Sequence, residues 1–128
     1  MKIVIEAGSV RMEAELSDSS TARKVGEALG PPSASIEGSA NLWGDEIYFE
    51  IPVVAAQEAD AREIVDVGTL GYWPVGHAFC IFFGPTPVST DERPRAYSPC
   101  NILGQVLGDA TRFREVRNGE TVTLSRAE

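Results

Sequence analysis

Histidine and cysteine are scarce in this chain: one imidazole, His77, and two thiols, Cys80 and Cys100, in 128 residues. Neither cysteine belongs to a CxxC pair, and with one histidine they complete no familiar zinc spacing. No metal or cofactor signature stands elsewhere. The loop Gly84-Pro85-Thr86-Pro87 lacks the Gly-Lys-Ser/Thr ending of a phosphate-binding loop. Basic charge is scarce too: 11 Lys and Arg against 19 Asp and Glu leave a net charge of −8. A field of that sign repels phosphate backbones, which argues against nucleic acid as a partner. An apolar run of about 18 residues is missing as well, so the sequence holds no candidate for a membrane-spanning helix. The opening MKIVIEAG breaks into charge at Glu6 before a signal-peptide core forms. These absences lead us to expect a cytoplasmic protein that binds neither membrane nor nucleic acid.

What is present describes an ordinary globular chain, 43% apolar and 23% charged, with residues 1–128 expected to form a single domain. Its dominant period is two. Val10, Met12, Ala14 and Leu16 alternate with Arg11, Glu13 and Glu15, which predicts a strand with one wet face, paired through Gly8-Ser9 with a strand over 2–6. Ile47, Phe49 and Ile51 alternate with Glu46, Tyr48 and Glu50 in the same way. A helix near 20–29 follows from the cap-forming run Ser17 to Thr21, the spacing of Ala22, Val25, Ala28 and Leu29, and the Gly30-Pro31-Pro32 stop. Gly26 inside it suggests close packing against a strand. Residues 31–44 and 57–63 read as irregular, 64–67 as a brief strand and 84–100, with four prolines, as a long surface loop. Asn101 to Leu107 reads as a strand, Gly108-Asp109 as the cap of a short helix carrying Phe113 and Val116, and 121–125 as the last strand.

The stretch Gly68 to Pro87, GTLGYWPVGHAFCIFFGPTP, organises the rest. Two apolar segments meet through Pro74-Val75-Gly76, as strands do across a turn. Ala78 to Phe83 is apolar at every position, so both of its faces must be covered. Some seven or eight short strands with two helices fit a closed barrel or a sandwich with its ends covered.

The pieces NLWGDEIYF (41–49), GTLGYWPVGHAFCIFFGPTP (68–87) and NILGQVLGD (101–109) occur in an order that resembles the small prokaryotic cyclophilin-like proteins. That family consists of single domains, mostly without an assigned function. More remotely, the chain is similar to the cyclophilins. The resemblance implies a mainly β fold: a closed antiparallel eight-stranded β-barrel capped by two short helices. Cyclophilins isomerise prolyl bonds with an arginine beside an apolar pocket. The matching strand here, Asn41-Leu42-Trp43, has no arginine, and the glutamine-glycine-aspartate pattern of the next strand is replaced by Tyr48-Phe49-Glu50.

Three functions follow. The first is a binding module in which an aromatic groove takes a peptide segment or small ligand; its expected residues are Trp43, Tyr48, Tyr72, Trp73, His77 and Phe79. The second is a weak peptidyl-prolyl isomerase lacking the usual arginine. The third makes the aromatic groove a homodimer interface. No catalytic residue is assigned: no Ser-His-Asp or Cys-His arrangement is legible around His77. Glu46 and Glu50 stand roughly 13 Å apart on an extended strand, too far for a coupled dyad, and read as solvated charge. Cys80 is expected to be buried and inert, Cys100 more accessible.

Overall fold

The computed structural model describes residues 1–127. They form ten strands: β1 (Lys2–Ala7), β2 (Val10–Leu16), β3 (Ile36–Ser39), β4 (Asn41–Leu42), β5 (Glu46–Glu50), β6 (Arg62–Ile64), β7 (Thr69–Trp73), β8 (Ala78–Phe82), β9 (Arg95–Val106) and β10 (Thr121–Arg126). One α-helix, α1 (Ser20–Leu29), and two 3₁₀ helices, Pro74–Gly76 and Ala110–Glu115, accompany them. None of these helices is long and apolar enough to cross a membrane.

Every pairing is antiparallel, in the order β3-β10-β1-β2-β9-β7-β8-β5-β4, with β6 added to β9 beside this path. The expected closed eight-stranded barrel is therefore corrected: the sheet has ten strands and does not close. Its two ends, β3 and β4, are successive segments separated only by Ala40. At Ala40 the backbone bonds to the 117–120 turn, donating to the Glu120 carbonyl and accepting from Gly119, while β4 beyond it pairs with β5. The chain changes partners here, so no ladder joins β3 to β4. Packing seals β3 onto β5, the strand next to the other end, since Gly38 of β3 lies so close over the Phe49 ring that a Cβ there would sit 2.6 Å from it.

The alternating strands fold as their pattern dictates. Ile47 and Phe49 of β5 and Phe79 and Ile81 of β8 face the main core, with Ile3, Ile5, Leu70, Leu103 and Leu124. Both faces of β8 are covered: Ala78, Cys80 and Phe82 enter a second, smaller cluster with Val65, Ala96 and Cys100. Helix α1 spans the expected residues; the Ser19 hydroxyl accepts the Ala22 N–H at 3.2 Å and Gly30 takes a φ of 73° past its end. Gly26 makes room for the Met1 side chain rather than for a strand. The second helix stands where expected, as a 3₁₀ segment with the Asp109 carboxylate accepting the Thr111 N–H at 3.0 Å.

Other segments depart from the expectations. The region 31–44 supplies β3 and β4, and the brief strand expected at 64–67 lies at Arg62–Ile64. The loop expected over 84–100 ends at Pro94, because Arg95 to Cys100 is already the first half of β9. This half leaves β7 and pairs irregularly with β6 across the outer face of the sheet. The 53–58 segment is anchored by the buried Asn101 amide, which donates to Ala56 O and Thr21 Oγ1 at 2.9 Å each and accepts the Glu58 N–H at 2.7 Å.

Candidate functional site

The second cluster floors a pocket of about 190 Å³ on the outer face of β5, β8 and β7, lined by Trp43, Glu46, Tyr48, Trp73, Ala96, Tyr97 and Cys100. Strand alternation sets two walls. With Ile47 and Phe49 inward, Glu46 and Tyr48 point outward, and Tyr48 stands opposite Cys80 of β8. Tyr72 turns inward on β7, so Trp73 turns outward.

Trp43 comes from the tight turn between β4 and β5, where its N–H and carbonyl exchange hydrogen bonds with Glu46 at 2.9 and 3.2 Å. Gly44, the first central residue of that turn, has a φ of 58° and leaves no room for a Cβ beside the Pro85-Thr86-Pro87 backbone. The Asp45 N–H donates to Pro85 O at 2.9 Å, which docks the turn on that loop. Trp73 is held from two sides: its indole N–H donates to Ser98 Oγ at 2.6 Å, and its ring lies over Gly76, where a Cβ would come within 2.6 Å.

The aromatic rings form a chain of edge-to-face contacts. Tyr97 meets Trp43 and Trp73 with centroids 6.2 Å away in both cases, and Trp73 meets Tyr48 at 6.5 Å. Tyr97 forms the outer rim and is 73% exposed.

At the floor the chemistry changes. Glu46 is only 5% exposed, and among the described residues it has no ion-pair partner. Burial raises its pKa from 4.5 to about 7, against a hydrogen bond with Cys80 that pulls it down. Hydrogen bonding with Cys100, burial, and the charges of Cys100 and Glu46 all push the Cys80 thiol well above its ordinary range. Cys100, expected to be accessible, is 1% exposed beneath the pocket. Among the described residues no group of three His, Cys, Asp or Glu side chains is arranged to hold a metal ion.

Of the six aromatic and histidine positions expected in the groove, the structure gathers Trp43, Tyr48 and Trp73. Two others are corrected. Tyr72 and Phe79 are wholly buried in the main core, facing away from the pocket because they hold the opposite parity on β7 and β8. The Tyr72 hydroxyl is used internally, donating to Val53 O at 2.6 Å. His77 also lies outside the lining; it ends the first 3₁₀ turn in a left-handed conformation, φ 50°, its carbonyl accepting the Ile51 N–H at 2.9 Å. Four lining residues escaped the sequence reading: Ala96, Tyr97 and Cys100 because they sit among prolines in a segment read as loop, and Glu46 because its face of β5 looks solvated in isolation.

The arrangement is a small aromatic box with one desolvated carboxyl and no basic side chain in its lining. Comparison with known proteins agrees with the fold. The family model described as Cyclophilin-like matches residues 1–125. The solution structure of a hypothetical protein from Archaeoglobus fulgidus is 35% identical in sequence, with 99% of this chain and 95% of that chain covered and a TM-score of 0.80. No curated protein matches the sequence. With a family match over nearly the whole length and a relative of the same architecture, this chain belongs to the cyclophilin-like family.

Proposed function

We propose that this protein is a binding module that holds a small ligand, or one side chain of a peptide segment, in the pocket between Trp43, Tyr48, Trp73 and Tyr97. The observation that carries this reading is the fixed chain of four aromatic side chains on an outer sheet face, open at Tyr97. Large aromatic surfaces left facing solvent supply contact area at little entropic cost, and here Ser98 and Gly76 already hold one of them in place. At about 190 Å³ the pocket is smaller than those that enclose a drug-sized molecule, which suits a headgroup or a single side chain.

The test is a fragment and peptide screen read by the indole N–H resonances of Trp43 and Trp73. Binding that shifts both, and that Trp43→Ala and Tyr97→Ala abolish, is the expected result. Ligands that leave both resonances in place would move the site elsewhere on the molecule.

Isomerisation of prolyl bonds is a less apt use of this pocket, since its lining offers no cationic donor to the amide nitrogen. Uncatalysed exchange takes tens of seconds or more. We therefore expect exchange spectroscopy on a proline-containing tetrapeptide to show no enzyme-dependent cross-peaks. Cross-peaks that disappear in Tyr48→Ala would establish the isomerase instead.

A further inference from the structure

We propose that the pocket binds an alkylated ammonium cation, whose methyl groups face Trp43, Tyr48, Trp73 and Tyr97 while the Glu46 carboxylate supplies the countercharge. This rests on the binding-module reading and names its ligand class. Two features converge. The electron-rich faces of tryptophan and tyrosine attract a cation, more so when water is excluded. An ionised carboxylate 5% exposed, with no basic residue lining its pocket, lacks the counterion that buried charge requires. A methylated ammonium group answers both needs, because its positive charge is spread over apolar methyls. A neutral ligand would meet the aromatic walls and leave the carboxylate unmatched. An anion would be repelled.

Among the described residues Glu46 is faced by Cys80 from β8 and by Cys100 from β9, with Tyr48 beside it on β5, and by no basic side chain. The nearest sequence neighbour with a cationic partner, Asp45, uses Arg114 at 3.4 Å outside the lining. A proton on Glu46 and a cation in the box therefore compete. A neutral ligand accepting a hydrogen bond from protonated Glu46 would show the opposite pH trend, so the sign of the dependence separates the two chemistries.

The experiment titrates the intact protein with three probes: choline, a peptide carrying trimethyllysine, and dimethylbutanol, the uncharged carbon isostere of choline. Tryptophan fluorescence and indole N–H shifts report occupancy. We expect one or both cations to bind and the isostere to bind at least tenfold more weakly. Affinity for the cation should rise about tenfold or more between about pH 5.5 and about pH 8.5, because only ionised Glu46 completes the site. Choline binding without the peptide would identify a free headgroup as the source of the cation; the reverse would identify a methylated side chain.

Glu46→Gln should remove the pH dependence and most of the preference over the isostere. Tyr97, being exposed, can be changed without touching the core: Tyr97→Ala should weaken the cation several-fold, and Tyr97→Phe should restore it. Equal binding of choline and its isostere, or affinity falling as pH rises, overturns the cationic assignment but keeps a binding pocket. No response to either cation also overturns it, and only a blank fragment screen as well would remove the binding module itself.

Discussion

Glu46 puts a measurable signature into the stability of the molecule. Its folded-state pKa of about 7 lies above the ordinary 4.5, so the folded state holds the proton more tightly than the unfolded chain does. The resulting stabilisation is complete below about pH 4.5 and is lost as pH rises through 7, a change of about 3 kcal/mol for a shift of this size. Asp91 and Asp109 act with the opposite sign at lower pH: hydrogen bonds from Arg93 and from Thr111 hold their pKa values below the usual range. Glu46→Gln should therefore flatten the loss between about pH 4.5 and 7 and leave the variant about 1–3 kcal/mol more stable than the parent above pH 8, by urea denaturation. Parallel stability profiles for the two proteins would mean that the carboxyl is solvated after all. Nothing in the local sequence announces this residue. The alternation Glu46, Tyr48, Glu50 says which face of β5 points outward, and says so correctly. What it cannot say is that Ala96 and Cys100, some fifty positions downstream, cover one end of that face and leave Glu50 exposed at the other.

At the level of elements, legibility followed pattern length. β2, β5 and β8 were readable because alternation or unbroken apolar character persists over several residues, and α1 because caps, period and stop signal agree. β3, β4 and β6 are four, two and three residues long, too short to show a period, and Pro94 and Pro99 disguise the first half of β9 as loop. That disguised half matters most for the site. It brings Ala96, Tyr97 and Cys100 to the pocket and Ser98 to the Trp73 indole. Pairing with β6 rather than within the main ladder is what lets a proline-bearing segment remain extended there. The Trp73 wall then depends on two contacts, and one is a glycine. In Gly76→Ala the new methyl meets the ring at 2.6 Å, so the indole must tilt and lose its 2.6 Å bond to Ser98. We expect a cost of about 1–2 kcal/mol, an upfield shift of the Trp73 indole proton, and ligand affinity reduced while the main-core resonances stay in place. An unmoved indole proton would show that the wall tolerates the methyl and that the turn, rather than the ring, gives way.

For the whole molecule the question is whether the aromatic box is free or covered by a second copy. The resemblance to the cyclophilins suggested a barrel with no edges to protect; the sheet is instead open, with its ends at β3 and β4. Those ends are short and adjacent in the chain, and Gly38 of β3 packs over Phe49 of β5, the strand beside β4, so among the described residues no long flat edge invites pairing between copies. A homodimer through the pocket rim would have to bring together two surfaces of a molecule carrying −8 net charge, each centred on a Glu46 that has no ion-pair partner among the described residues. Like charges approaching across a poorly hydrated aromatic contact raise the cost of association, most of all at low salt and above pH 7. The binding-module reading accordingly expects sedimentation equilibrium to return the monomer mass, 13.8 kDa, at neutral to alkaline pH up to about millimolar concentration. Near the isoelectric point of about 4.6 the repulsion fades and Glu46 is protonated, so self-association through the rim should be strongest there. A dimer persisting at pH 8 and low salt, and dispersed by Tyr97→Glu, would show that the rings are covered by a partner copy and that the pocket is an interface rather than a ligand site.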